Sequence, residues 1–316
     1  MQIKAIYRKA SRAGILIPGF NIPYLPMMSG VIDALAEKDA FGLIMVARLE
    51  WVKFASGSPA HIAREYAGIQ STRHSRLHLD HVPVIDEDNQ RVDYLPIIID
   101  ALSLGYDSVM VDGSRLGLAE NIAATAAVTE LAAPEGVAVE GELGAVFGHE
   151  VDAQALSYDE LFRTRKGFTD IAEAARFARE TRVDMLSVAV GNVHGPISEA
   201  ARRQEKIKAR IDVDHIRALA KATAIPLVLH GGSGLDPIMI RQAVPAGVVK
   251  LNIATDIRKV YEALVDTAGV ATAVAAVKAK TMELLDMYGV TGSAARLFDI
   301  PDPGCIMKGD DESAGH

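Results

Sequence analysis

Cysteine is nearly absent: the 316-residue chain has one, Cys305. A disulfide framework is excluded, and the thiol usage reads as that of a cytoplasmic protein. Aromatic residues are scarce as well, at 5%. The core must then be built from Ala, Val, Ile and Leu, which suits α/β architecture better than an aromatic-rich all-β fold. No dense basic run offsets the net charge of −8, which argues against nucleic acid as a partner. An acidic chain that binds phosphate must hold it locally, with backbone N–H groups, a metal or a few cations. No apolar run approaches the roughly 20 residues of a membrane span. The stretch Ile15 to Phe20 is too short, and too broken by Pro18 and Gly19, for a signal peptide.

What is present is a regular alternation. Hydrophobic residues make up 49% of the chain, and they fall in short apolar runs separated by amphipathic stretches. The runs Gly14 to Asn21, Leu43 to Leu49, Arg76 to His81, Ser108 to Asp112, Val137 to Leu143, Met185 to Val190, Leu227 to His230 and Val248 to Ile253 read as strands. Helical patterns cover Leu25 to Glu37, Ala60 to Gln70, Tyr94 to Leu104, Leu118 to Leu131, Asp170 to Thr181, His215 to Ala222 and Pro237 to Ala243. A long helical tail follows from about Asp256 to Tyr288. Polar stretches from about Phe147 to Thr169 and from Ser198 to Arg210 read as loops over a site. Alternation of this kind predicts a parallel sheet. Eight strand–helix units predict a (β/α)8 TIM barrel with a long C-terminal helical extension, in one domain over 1–300 with a loose tail from 301. An open doubly wound sheet is the alternative, but no G-x-G-x-x-G follows the first strand.

Polar residues gather at the C-terminal ends of these strands, where barrel enzymes keep their sites. Asn21 ends the first strand, Asp80 and His81 the third, Asp112 to Ser114 the fourth, and Glu140 and Glu142 the fifth. Asn192, His194 and Gly195 follow the sixth, His230 to Gly234 the seventh, and Asn252, Thr255 and Asp256 the eighth. Two imidazoles and a carboxylate fall within His78-Leu79-Asp80-His81. In a strand His78 and Asp80 share one face and His81 the other; a turn starting at Asp80 re-aims His81 beside them. Three neutral imidazoles, His81, His194 and His230, could form an open Zn2+ site with a position left for substrate. The glycines of His230-Gly231-Gly232-Ser233-Gly234 let backbone N–H groups face an anion. Barrels often hold phosphate with the loops after strands seven and eight.

Taken together, His78-Leu-Asp-His81, Ser108-Val-Met-Val-Asp-Gly-Ser114, Val139-Glu-Gly-Glu-Leu-Gly144, Gly191-Asn-Val-His-Gly195, Leu229-His-Gly-Gly-Ser-Gly234 and Val249-Lys-Leu-Asn-Ile-Ala-Thr-Asp256 resemble the class II, zinc-dependent fructose-bisphosphate aldolases. The turn Asn252-Ile-Ala-Thr255 is closer to the tagatose-bisphosphate and related ketose-bisphosphate branch. The resemblance implies a lyase of carbohydrate metabolism (glycolysis in the fructose branch) that releases dihydroxyacetone phosphate. It implies a homodimer or homotetramer acting on a small sugar phosphate. His81, His194 and His230 would hold Zn2+, with Glu142 a ligand in some states and Asp112 an auxiliary position. Asp80 would shuttle the proton of the C4 hydroxyl, and Glu150, eight residues after Glu142, the carbon proton. Asn21, Gly195, Gly231, Gly232, Ser233, Asn252, Ile253, Ala254 and Thr255 would bind substrate and phosphate, assisted by a monovalent cation such as Na+ or K+.

The chain departs from that pattern in places. Gly148-His149 precedes Glu150 where Gly-Gly is usual. Arg115-Leu-Gly-Leu118 replaces His-x-Pro-Phe, and Val46 and Arg48 stand where Gln and a phosphate-contacting Ser are common. Arg48 is thus a specificity candidate, either paired with Glu50 or Glu142 or facing an anionic substrate group; Arg48 and Glu50 would share a strand face. Competing readings are a metal-dependent hydrolase, a Schiff-base aldolase using Lys250, and a non-catalytic sugar-phosphate binding protein. The first lacks a His-x-His on strand one, where Gly19-Phe-Asn21 stands.

Overall fold

The structure, a computed structural model, describes residues 1–144, 158–193 and 209–301. Among these, eight parallel strands close into a barrel in sequence order. They are β1 (Ile17–Asn21), β2 (Gly42–Ala47), β3 (Ser75–Pro83), β4 (Ser108–Asp112), β5 (Ala138–Leu143), β6 (Met185–Val188), β7 (Leu227–Leu229) and β8 (Val248–Ile253). Closure is made by β1 on β8, with Ile17 opposite Lys250 and Gly19 opposite Asn252. This is the TIM barrel expected from the alternating pattern.

Strand alternation divides the core in two. One face of each strand, including Ile44, Val46, Leu77, Leu79, Val109, Val139, Leu186, Leu229 and Leu251, packs outward under the helices. The other face fills the barrel. Its floor is apolar, with Ile17, Leu43, Met45, Ala138, Met185 and Val228 in one cluster. Farther along the same face come His78, Glu140 and Lys250, then Asp80, Glu142, His230 and Asn252, all buried. The interior is thus oily at the N-terminal end of the strands and polar toward the C-terminal end.

The floor is sealed by α1 (Ile3–Ala13), which the sequence reading did not include. Ile3, Ile6, Tyr7 and Ala10 lie on one helical face and pack into the floor cluster. Gly14 ends this helix in a left-handed conformation, φ 59°, so the expected start of the first strand at Gly14 moves to Ile17. The second strand stops at Ala47 instead of Leu49, and Arg48–Lys53 forms a short helix. The helix Met27–Glu37 connects β1 to β2.

The remaining connections follow the expected pattern. Pro59–Ile69, Tyr94–Ser103, Leu118–Ala132, Ile171–Thr181, Val213–Thr223 and Pro237–Ala243 are helices. Ser58, Asp170, Asp212 and Asp236 cap four of them by accepting first-turn N–H groups. Tyr158–Thr164 is helical within the stretch expected to be a loop. The helical tail is broken: Gly269, with φ 83° and ψ 164°, separates Thr255–Ala268 from Val270–Met287, and Ser293–Phe298 follows. Of the tail expected from 301, only Pro301 lies among the described residues.

Candidate metal centre and acid–base cluster

The third strand carries an irregularity at the site. Its register against β4 slips between Leu79 and Val82, and His81 sits at φ 33°, a conformation a non-glycine residue seldom adopts. The bulge breaks the alternation, so Asp80 and His81 both turn to the barrel mouth. This is the re-aiming expected from the sequence, reached by a bulge inside a strand that runs on to Pro83.

His81 meets three neighbours there. Its Nδ1 lies 3.2 Å from Asp112 Oδ2 and 3.7 Å from Glu142 Oε2, and its ring stands edge-on to His230 with centroids 4.5 Å apart. His230 Nδ1 is 3.6 Å from the same Glu142 oxygen. Two overlapping sets, Asp80–His81–His230 and His81–Asp112–Glu142, each bring their donor atoms within 4.8 Å of one another. Ser114 fixes Asp112, giving its backbone N–H at 3.0 Å and its hydroxyl at 2.6 Å to Oδ1. Imidazole nitrogens mixed with carboxylate oxygens are a donor set that suits Zn2+. Burial opposes charge on His81, but Asp80, Asp112 and Glu142 outweigh it and push the imidazole well above its ordinary range. That field favours a cation. His194, the third expected imidazole, lies outside the described residues, as do Gly195 and Glu150.

Asp80 is clamped beside this cluster. Asn21 Nδ2 donates to Oδ2 at 2.9 Å and Asn252 Nδ2 to Oδ1 at 2.9 Å. Lys250 Nζ is 3.8 Å and His78 Nε2 3.6 Å from Oδ1. Burial works against the charge, yet His81 and Lys250 hold the carboxyl well below the usual range. An ionised carboxylate held by two amides is aimed rather than merely present.

The expected phosphate turn also assembles. Gly231 adopts φ 74°. A Cβ on Gly232 would come within 2.9 Å of the Leu251 side chain and 3.0 Å of Asn252 O, so only glycine lets this turn lie against β8. Ser233 Oγ accepts the Asp256 N–H at 3.3 Å, which ties the turn to the start of the helix Thr255–Ala268. Ile253, Ala254 and Thr255 lead directly into that N-terminus, whose backbone N–H groups suit an anion. Asn192 Nδ2 donates to His230 O at 3.1 Å, joining the end of β6 to the same turn.

Two expectations about the second strand are corrected. Arg48 and Glu50 do not share a strand face, because both lie on the short helix after β2. Arg48 Nη1 pairs with Asp86 Oδ2 at 3.5 Å, not with Glu50 or Glu142. Glu50 instead reaches back to accept the Ala47 N–H at 2.7 Å and the Asn21 amide at 3.5 Å. Burial pushes its carboxyl up to about 8. Glu50 was not among the expected site residues; its position three residues after Ala47, at the start of a helix, is the pattern of a helix-capping glutamate. Lys250 is held by an acid partner, Glu140 Oε2 at 2.7 Å. A lysine so held, with no exposed surface, is poorly suited to attack a carbonyl.

Comparison with known proteins agrees with this geometry. The sequence pattern of the family described as fructose-bisphosphate aldolase class-II matches residues 1–293. A protein of Halalkalibacterium halodurans named 6-phospho-5-dehydro-2-deoxy-D-gluconate aldolase is 30% identical over 259 residues, 81% of this chain and 80% of that protein. The crystal structure of the YdjI aldolase from Escherichia coli K12 superposes with a TM-score of 0.74 at 26% identity, covering 93% of this chain and 98% of that one. A fructose-bisphosphate aldolase from Campylobacter jejuni shares the fold, with a TM-score of 0.69 at 18% identity over 92% of this chain and 94% of its own.

Proposed function

Since the chain belongs to the class II fructose-bisphosphate aldolase family and is a lyase, we propose that it is a zinc-dependent enzyme that reversibly cleaves a ketose phosphate into dihydroxyacetone phosphate and an aldehyde. The observation that carries this reading is the convergence of His81, His230, Glu142 and Asp112 beside an Asp80 clamped by Asn21 and Asn252. His81 and His230, with His194, would hold the ion, and Glu142 and Asp112 would offer further positions. Bound there, Zn2+ would supply Lewis acidity for the substrate carbonyl and for the charge left on the three-carbon half.

The chain's own residues supply the rest. Asp80 takes the proton of the C4 hydroxyl, the C3–C4 bond breaks, and the aldehyde leaves with a new carbonyl. The bonding pair remains on the three-carbon half, where Glu150 returns a proton to carbon. The Gly231–Ser233 turn and the Asn252–Thr255 segment would hold the phosphate, and a monovalent cation would help to neutralise it. Arg48, on the rim after β2, would face the far end of the substrate, since its fork suits phosphate or carboxylate. The Halalkalibacterium halodurans relative is named for a substrate with both a phosphate and an acid group, which supports an anionic far end.

A screen of ketose phosphates and keto-acid phosphates for release of dihydroxyacetone phosphate tests this. Release that a chelator stops and added zinc restores is the expected result. Turnover unaffected by chelator, in a protein free of zinc, would sink the metal reading.

A further inference from the structure

Beneath the metal cluster lie Glu140, Lys250 and His78, all without exposed surface. None of them has a part in the chemistry above. Lys250 Nζ donates to Glu140 Oε2 at 2.7 Å and is 3.2 Å from His78 Nε2. An ammonium has donors and no lone pair, so His78 Nε2 accepts and its ring proton is on Nδ1. That nitrogen is 2.7 Å from Ser108 Oγ, which in turn is 3.1 Å from Tyr7 of the helix that closes the floor. The donors and acceptors of this interior layer are therefore arranged in one sense.

The same reasoning reaches the metal cluster through the other oxygen of Glu140. Oε1 is 3.0 Å from His230 Nε2. Lys250 Nζ donates to the other oxygen at 2.7 Å, and a carboxylate paired with an ammonium only accepts. His230 must then carry its proton on Nε2, which leaves the lone pair on Nδ1. Nδ1 is the nitrogen 3.6 Å from Glu142 Oε2, on the side of His81 and the carboxylates.

We infer that Glu140, fixed by Lys250, is the positioning residue that sets the tautomer of His230 and so presents Nδ1 to the metal. The inference rests on the metal reading proposed above. A carboxylate behind a ligating histidine holds ring orientation and tautomer, and its loss typically weakens metal binding by about 10- to 100-fold. The competing account is that Glu140 only neutralises a buried lysine. Such a pair can often be exchanged for apolar residues of similar volume without loss of stability, and under that account zinc affinity would survive the exchange.

The test has two arms. Nitrogen-15 NMR of histidine-labelled, metal-free protein reads the proton position directly, with the His230 signals assigned from their absence in His230→Gln. The expected result is a protonated Nε2 and an unprotonated Nδ1; a proton on Nδ1 overturns the inference. In the second arm, zinc affinity is measured by competition with a chelator for the wild type, Glu140→Gln and the double variant Glu140→Leu/Lys250→Met. Both variants should bind zinc roughly 10- to 100-fold more weakly, including where the double variant melts near the wild-type temperature. A double variant that is both stable and wild-type in affinity would overturn the positioning role. If the wild type takes up no zinc at all, the metal reading fails, while the NMR result still decides whether Glu140 sets the tautomer.

Discussion

At Asp80 two amides and a lysine hold one carboxylate, and this makes a division of labour testable. Asp80→Asn should stop cleavage yet leave exchange of a carbon proton of dihydroxyacetone phosphate with solvent, because Glu150 would still move that proton. Glu150→Gln should lose the exchange. Equal loss of both activities in both variants would refute separate roles. Glu50 offers a second residue-scale prediction, in stability. Its carboxyl is pushed up to about 8 by burial, so between the ordinary glutamate value near 4.3 and pH 8 the folded chain keeps a proton that the unfolded chain releases. Stability from this group therefore falls as pH rises through that window. Glu50→Gln keeps an acceptor for the Ala47 N–H and cannot ionise. Its stability relative to wild type should rise from pH 5 to pH 8, at ~1.4 kcal/mol for each tenfold change in proton affinity. Urea unfolding at both pH values measures it, and an unchanged difference would show that Glu50 does not titrate there. The strand-end acids and histidines were legible in the sequence because a strand end fixes their height in the barrel. Glu50 and Glu140 were not assigned the parts they take, because those depend on partners 29 to 110 residues away.

Elements were legible where hydrophobic period and punctuation agreed, as at the eight strands and most of the helices. The first helix was missed although Ile3, Ile6, Tyr7 and Ala10 carry its period; the basic residues between them dilute the apolar signal. The bulge in β3 could be anticipated only as a turn, since the slip is set by pairing with β4. The break at Gly269 lies in a sequence with few polar interruptions, and one glycine does not by itself end a helical pattern. Past that break, Val270–Met287 packs on Met27–Glu37 at very close range. A Cβ at Gly30 would lie 2.7 Å from Val274 O and 3.3 Å from Lys278 N. Backbone atoms cannot rotate away, so Gly30→Ala must part the two helices, at about 1–3 kcal/mol for overpacking. The better helix propensity of alanine returns only ~1 kcal/mol. A lower melting temperature with an unchanged KM is expected; a variant as stable as wild type would show that the helices separate at no cost.

At the scale of the whole molecule, eight alternating units were enough to predict a closed barrel, and closure explains why residues from distant strands share one mouth. The same architecture gathers charge. Asp80 and Glu140 are held ionised in the interior, Asp112 is held ionised at the mouth, and Glu142 lies among them, with Lys250 the buried lysine opposite. A divalent cation would offset part of this excess, so metal binding should be visible in global stability as well as in turnover. A ligand that binds only the folded state at 100 times its Kd stabilises by ~2.7 kcal/mol. For a chain of this size, with each kcal/mol worth roughly 2–4 °C, excess zinc should raise the melting temperature of metal-stripped protein by about 5–10 °C. A chelator should reverse the shift. His230→Ala removes an imidazole from the cluster and should lose most of the zinc response while keeping a cooperative melt. A wild type indifferent to zinc would argue against a metal centre. A full response in His230→Ala would instead leave a metal centre in place and remove His230 from its ligands.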